Sequence, residues 1–355
     1  MHSRAGILGI GTFLPEEVRR NDWWPAGLVA SWMEARRDAP PLPPATTDGI
    51  ARVIAAMTQQ AYDPFQGVTE RRVMSAEMQS VDMEVAAAEQ AIAVAGIDRQ
   101  HIGSVLTHTA VPDYLLSNTA SVLHHRLGLP ADCFSMQAEA SGFSFMAQLE
   151  LADQMIALGR ARYVLCVQSC AASRLVDVND PHSPLLGDGA SAVIVGPVAE
   201  GGVLGSVYRS DGTRPRALVA SVPGARWYDP GRVILHRGDP SHALMTFLET
   251  ADKAKEVIDA VLAKLDIPAA NVDFFGAHQG TPWLRRVIQE VTGLTEARTV
   301  DVFATTGYMM AVSIPLLLAM ALREDVLHAG DLIVLLGGGV GSTYGSTVMR
   351  WSNAR

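Results

Sequence analysis

His278 is the side chain in this sequence best placed for acid–base chemistry. It follows a short apolar run, Val272 to Gly276, that reads as a strand, and it opens the glycine-containing loop Gly276-Ala277-His278-Gln279-Gly280. Strand ends in layered α/β proteins are where functional side chains reach a site. A lone histidine is more often structural, and the other nine of the ten are read that way. Gly337-Gly338-Gly339 supplies a turn that only glycine tolerates. The nucleophile inventory is poor. Cys166 lies inside an apolar run and Cys170 just after it, and with Cys133 they read as small buried hydrophobes. Asp188, in a Gly-Asp-Gly-Ala turn, reads as a turn-capping residue.

The elements that must carry these residues alternate short Val/Ile/Leu-rich runs with longer helical patterns. Strands are expected over Gly6–Gly11, Ile102–His108, Tyr163–Val167 and Ala190–Val195, then over Val203–Tyr208, Val272–Gly276, Leu332–Leu336 and Ser346–Trp351. Helices Met83–Ala95 and Leu248–Leu265 occupy matching places, as do Phe143–Leu158 and Ser313–Leu322. The pattern implies a duplicated α/β protein with halves at 1–198 and 199–355. Residues 23–65 fit neither half and read as an insertion: either a surface excursion covering apolar area, or a segment whose Trp23, Trp24 and Trp32 shape a substrate tunnel or a partner contact.

Bulk composition narrows the function. A chain of 355 residues, 48% hydrophobic, buries a large core. A net charge of −9 and a pI near 5.6 disfavour nucleic acid or an anionic membrane as the main partner. Three irregularly spaced cysteines suit neither a disulfide framework nor a metal site, so no metal is implied and a reducing cytoplasm is the expected compartment. The apolar stretch Met309 to Leu322 is too short to span a bilayer and contains Pro315.

Four segments in order resemble the 3-oxoacyl-[acyl-carrier-protein] synthase III branch of the thiolase superfamily. They are Ile7–Asp22 with Gly67–Ser75, then Leu185–Val195, Gly276–Gly280, and Asp331–Trp351. The resemblance implies a thiolase-like fold of two βαβαβαββ halves in five α-β-α-β-α layers. It implies a homodimer, or a heterodimer with a related subunit, acting on acyl-coenzyme A or an acyl carrier protein and a small acceptor. No resident cofactor follows; coenzyme A or a phosphopantetheine thioester is substrate.

Two departures from the family pattern bear on the chemistry. Where the family has Ala-Cys-Ser/Ala-Gly-Phe, this chain has Glu139-Ala140-Ser141-Gly142-Phe143, so Ala140 stands in the nucleophile's place. A thiolate there would be activated by the dipole of the following helix, which a methyl group cannot exploit. Ser141 matches a small family residue rather than a nucleophile. The family asparagine of Gly-Asn-Thr-Ser is Tyr308, which removes one donor to a decarboxylation enolate, worth ~2.7–4 kcal/mol on oxyanion-hole precedent. By resemblance His278 bonds the thioester carbonyl or moves a proton. The amides of Gly338 and residue 140 form the oxyanion hole, with Ala140 and His278 facing one another across a cavity. Trp32, Trp283, Arg285, Phe303 and Met309 are the expected substrate contacts; Arg285 and Arg286 either attract phosphates or form a solvated basic face. The implied activity is acyl condensation or transfer in specialised metabolism through a cysteine at 140, silenced here by alanine. The alternatives are a cysteine-less pseudo-synthase that supports a partner subunit, and a malonyl decarboxylase.

Overall fold

The computed structural model describes residues 4–340 and 343–352; Gly341 and Ser342, part of the last segment quoted above, lie outside the described residues. One sheet orders its strands Arg4–Phe13, Asp188–Val198, Tyr163–Ala171, Ile102–Thr109, Phe134–Gln137. Its first two joins are antiparallel and its last two parallel. The other sheet runs Gly202–Ser210, Thr343–Arg350, Leu332–Gly338, Phe274–Ala277, with two antiparallel joins and then a parallel one. A parallel bridge between Phe274 and Arg298 stands where a fifth strand would lie. The two halves therefore repeat one topology.

Five layers follow from which faces are apolar. The strand Tyr163–Ala171 is almost entirely buried, as a parallel strand covered on both faces must be. Val164, Cys166 and Cys170 point to a central core shared with helices Ser144–Ala157 and Ser313–Arg323, which lie between the sheets. Leu165 and Val167 point outward, to helix Ser80–Ala95. On the far side, helices Thr250–Lys264 and Leu284–Thr292 cover the second sheet.

Two expectations change in detail. The expected helix Leu248–Leu265 is observed as Thr250–Lys264, and a further helix, Pro240–Leu248, precedes it across Glu249, whose carboxylate pairs with Arg214. The strand Phe134–Gln137 had no alternating signal, being a four-residue edge strand with no fully buried residue.

The 23–65 segment forms helices Ala26–Arg37 and Asp48–Gln60. The second lays Ile50, Val53 and Ala56 into the outer core of the C-terminal half. Trp24 and Trp32 are 4% and 5% exposed, and their indole N–H groups donate to the carbonyls of Val178 (3.3 Å) and Asn179 (2.7 Å). The insertion thus covers apolar surface and pins the 176–180 loop, while Trp23 stays exposed beneath Arg19. Among the described residues no helix is long and apolar enough to cross a membrane.

Candidate active site

The nucleophile-position elbow begins where the edge strand ends. Ala140 has φ −150 and ψ 30, Ser141 is left-handed at φ +52, a 3-10 turn spans Ser141–Phe143, and the helix starts at Ser144. The Ala140 N–H donates to the Ser144 hydroxyl at 2.8 Å, so the amide expected in the oxyanion hole is already bonded. Glu139 accepts the Ser141 N–H at 2.7 Å and meets His108 Nδ1 at 2.6 Å. Desolvation opposes it, yet the bonds from His108 and the Ser141 amide hold the Glu139 carboxyl below its usual range. His108 is buried, and among the described residues its Nε2 has no partner. Residues 31 apart in sequence carry no spacing signal; only the parallel register of Thr107 with Gln137 makes this pair neighbours.

His278 sits at the head of the second sheet, its N–H donating to the Leu336 carbonyl at 2.9 Å. The elbow packs directly on its ring: a Cβ at Gly142 would lie 2.8 Å from His278 Cε1, 3.1 Å from Nε2 and 2.5 Å from the Gly338 carbonyl, so only glycine fits there. The far nitrogen, Nδ1, lies 3.3 Å from the Ser313 hydroxyl. Tyr308 meets the imidazole edge-on at 5.3 Å between ring centres. Burial pushes the His278 pKa down to about 4, so the ring is neutral at pH 7. Burial pushes the Tyr308 hydroxyl above its ordinary value, keeping it protonated.

Gly338 pairs with Tyr344 beside a bonded pair in which Gly339 N–H donates to Thr343 O at 2.8 Å. Antiparallel pairs alternate between bonded and unbonded, so the Gly338 amide turns out of that ladder. It faces the side on which Leu336, two residues earlier, receives the His278 N–H. A main-chain donor turned out of the ladder beside the imidazole is what an oxyanion requires.

These groups open onto a cavity of about 520 Å³ lined by His278, Tyr308 and Gly337 to Gly339 at one part. Elsewhere its wall is largely apolar, from Leu185, Leu186, Leu218, Leu235, Leu244 and Phe247. The expected site residues divide around it. His278, Tyr308 and Gly338 line the cavity, whereas Ala140 does not; Gly142 is an elbow residue that packs on the imidazole.

The five expected substrate contacts also lie off the wall, each for a physical reason. Trp32 anchors the 176–180 loop. Trp283 backs the lining residue Phe247, edge to face at 5.5 Å. Arg285 is engaged by Asp301 at 2.6 Å and by Gln289 at 2.6 Å. Phe303 and Met309 are 2% and 0% exposed, Met309 within the central core. Sequence reasoning did not find the Glu139–His108 pair, Ser144 or Ser313; the two serines had a signal, since each opens a helix after a matching turn.

Comparison with known proteins fits this geometry. Residues 134–212 match the family model of 3-oxoacyl-[acyl-carrier-protein (ACP)] synthase III, and residues 258–351 match that of its C-terminal region. A solved 3-oxoacyl-(acyl carrier protein) synthase III from Pseudomonas aeruginosa PAO1 is 26% identical, with 99% of each chain covered and a TM-score of 0.78. The synthase III from Thermus thermophilus is 25% identical over 98% of this chain and 100% of that one, at a TM-score of 0.76. A cysteine-to-serine variant of OleA from Xanthomonas campestris, solved with lauric acid and lauroyl-CoA, is 19% identical and shares the fold, with 99% and 100% coverage and a TM-score of 0.77. With part of each half matched to the synthase III pattern and the whole chain superposing on such enzymes, this protein is a synthase III-like chain of the thiolase superfamily, similar to acyl-condensing and acyl-transferring enzymes.

Proposed function

We propose that this chain transfers an acyl group from a coenzyme A or carrier-protein thioester directly to a small nucleophilic acceptor of specialised metabolism, without an acyl-enzyme at residue 140. One observation carries this reading: His278 and Gly338 line the cavity, while the elbow beside them holds a methyl group that lies off its wall. The surviving machinery suits a reaction in which both reactants are bound and neither is the protein. An acceptor X–H attacks the thioester carbon, the oxyanion rests on the Gly338 N–H, and collapse breaks the C–S bond to release the thiol. Holding two reactants together supplies catalysis without a covalent step.

Other features support the wider reading. A largely apolar cavity of about 520 Å³ suits an acyl chain and a pantetheine arm. Tyr308 in place of the family asparagine argues for an acceptor that is already nucleophilic, such as an amine or alcohol, rather than a malonyl carbanion. We take the functional unit to be a dimer, because Phe134–Gln137 ends its sheet with Phe134 exposed, and Tyr114, Leu115 and Leu116 are exposed as well.

The test incubates the chain as it stands, and its Ala140→Cys variant, with acyl-coenzyme A, acyl carrier protein and a panel of amines and alcohols, followed by mass spectrometry. Acyl product from the unaltered chain, with no mass added to the protein, is the expected result. Product only from Ala140→Cys, with an acylated protein, would mean a silenced covalent enzyme. Carbon dioxide from malonyl thioester without transfer would mean a decarboxylase, and no turnover from either form would favour a supporting subunit.

A further inference from the structure

We propose that Ser313 fixes His278 in the tautomer that carries its proton on Nδ1, leaving Nε2 as a bare lone pair toward the elbow, so that His278 serves as a base rather than as a donor to the thioester carbonyl. The argument is a count of protons. Ser313 Oγ lies 2.8 Å from the Met310 carbonyl oxygen and 3.3 Å from His278 Nδ1. A carbonyl only accepts, and a serine has one hydroxyl proton, so the shorter contact takes it. What Ser313 then turns toward Nδ1 is a lone pair, and two lone pairs do not bond, so Nδ1 must carry hydrogen. A neutral imidazole has one N–H, and Nε2 is left without.

Two further features support this assignment. The Met310 main chain also favours the protonated ring, against the larger opposing effect of burial. Met310 is itself left-handed at φ +50, an uncommon backbone for a residue with a side chain, which local turn chemistry alone would give to glycine or asparagine. Ser313 is 2% exposed and does not line the cavity, so it acts through the imidazole, as a positioning residue.

The consequence rests on the direct-transfer reading. A bare Nε2 takes the proton of the acceptor X–H as the X–C bond forms, the oxyanion is left to Gly338, and the imidazolium returns the proton to the departing thiolate. Atoms and charge balance with no other reactant.

The test on the free protein needs no substrate. Imidazole nitrogens of 15N-histidine-labelled protein are read by long-range 1H–15N NMR at neutral pH, with His278 assigned by its loss in His278→Gln. A pyrrole-type Nδ1 and a pyridine-type Nε2 are expected, becoming a tautomer mixture in Ser313→Ala and returning in Ser313→Thr. A protonated Nε2 in the unaltered chain, or a pattern that Ser313→Ala leaves unchanged, overturns the proposal. Transfer kinetics form a separate arm: Ser313→Ala is expected to lower kcat at least tenfold with KM little changed, and Ser313→Thr to restore it. The expected tautomer without any acyl transfer would uphold the role of Ser313 and count against direct transfer.

Discussion

The molecule builds the same elbow twice and uses it in two ways. In each half a residue that is neither extended nor helical, Ala140 (φ −150, ψ 30) or Met309 (φ −125, ψ 32), is followed by a left-handed one, Ser141 at +52 or Met310 at +50. A three-residue 3-10 turn then leads to a helix whose first residue is serine, Ser144 or Ser313. The N-terminal elbow satisfies itself, because its serine accepts the Ala140 N–H. The C-terminal elbow sends its serine to the Met310 carbonyl and on to His278. Duplicated backbone therefore does not mean duplicated chemistry. The half that should hold the nucleophile is closed on itself, and the half that holds the base is wired to it.

The largest contrast lies at Ala140 and Met309, the residues that open the two elbows. Met309 is fully buried between the sheets, whereas Ala140 is half-buried and off the cavity wall. Met309→Ala is expected to cost about 2–5 kcal/mol, the range for emptying a methionine's place in a core. Ala140→Ser should cost less than about 1 kcal/mol, as surface-near changes do. Urea unfolding of both variants checks this, and equal costs would show that the elbows are packed alike.

A second contrast is electrostatic, between Glu84 in the first half and His278 in the second, each shifted by burial in the opposite sense. Glu84, on helix Ser80–Ala95, is pushed up to about 7 by burial, against the bonds it accepts from the Ser169 and Thr109 hydroxyls. The matching helix Thr250–Lys264 buries only apolar residues such as Ala254 and Val257. With its native pKa above the ordinary 4.5, Glu84 keeps a proton the unfolded chain has lost. Its stability is full below about pH 4.5 and falls as pH rises toward 7. His278 is the reverse: lowered to about 4 from 6.5, it contributes fully above pH 6.5 and loses stability as pH falls toward 4. Each effect is bounded at roughly 3 kcal/mol, less for His278 because its ring opens onto the cavity. The unaltered protein should show a shallow profile between pH 4.5 and 6.5 in which the slopes oppose. Glu84→Gln should unmask stability that rises with pH, and His278→Gln stability that falls. Parallel profiles for the two variants would break the contrast.

What the sequence displayed and what it concealed divide along the same line. Continuous Val/Ile/Leu runs such as Tyr163–Val167 and Leu332–Leu336 are legible because strands buried on both faces have no other composition. His278 and the glycines of 337–339 are legible because a strand end and a glycine turn are local features. The expected contacts at Trp283, Arg285 and Phe303 lie off the cavity wall, and a large or charged side chain near a site is indistinguishable in sequence from one that braces it. Arg285 is bound to Asp301, sixteen residues away, and that partnership exists only in the fold. The Glu139–His108 pair and the Ser313–His278 contact likewise join different elements, and no periodicity reports which residues two elements bring together.

The smallest expected effect is the most discriminating between the elbows. Ser144→Ala removes the acceptor of the Ala140 N–H, which should cost about 1 kcal/mol, since residue 140 is open enough for water to take over the bond. The same substitution at Ser313 should disturb the proton of His278, because that serine faces a ring nitrogen as well as a carbonyl. The 15N pattern of His278 in Ser144→Ala is therefore expected to match that of the unaltered protein. If deleting Ser144 shifted the tautomer as deleting Ser313 does, His278 would be responding to the packing of the paired elbows through Gly142, not to one hydroxyl, and the division of labour between the two halves would have to be drawn at the glycine contact.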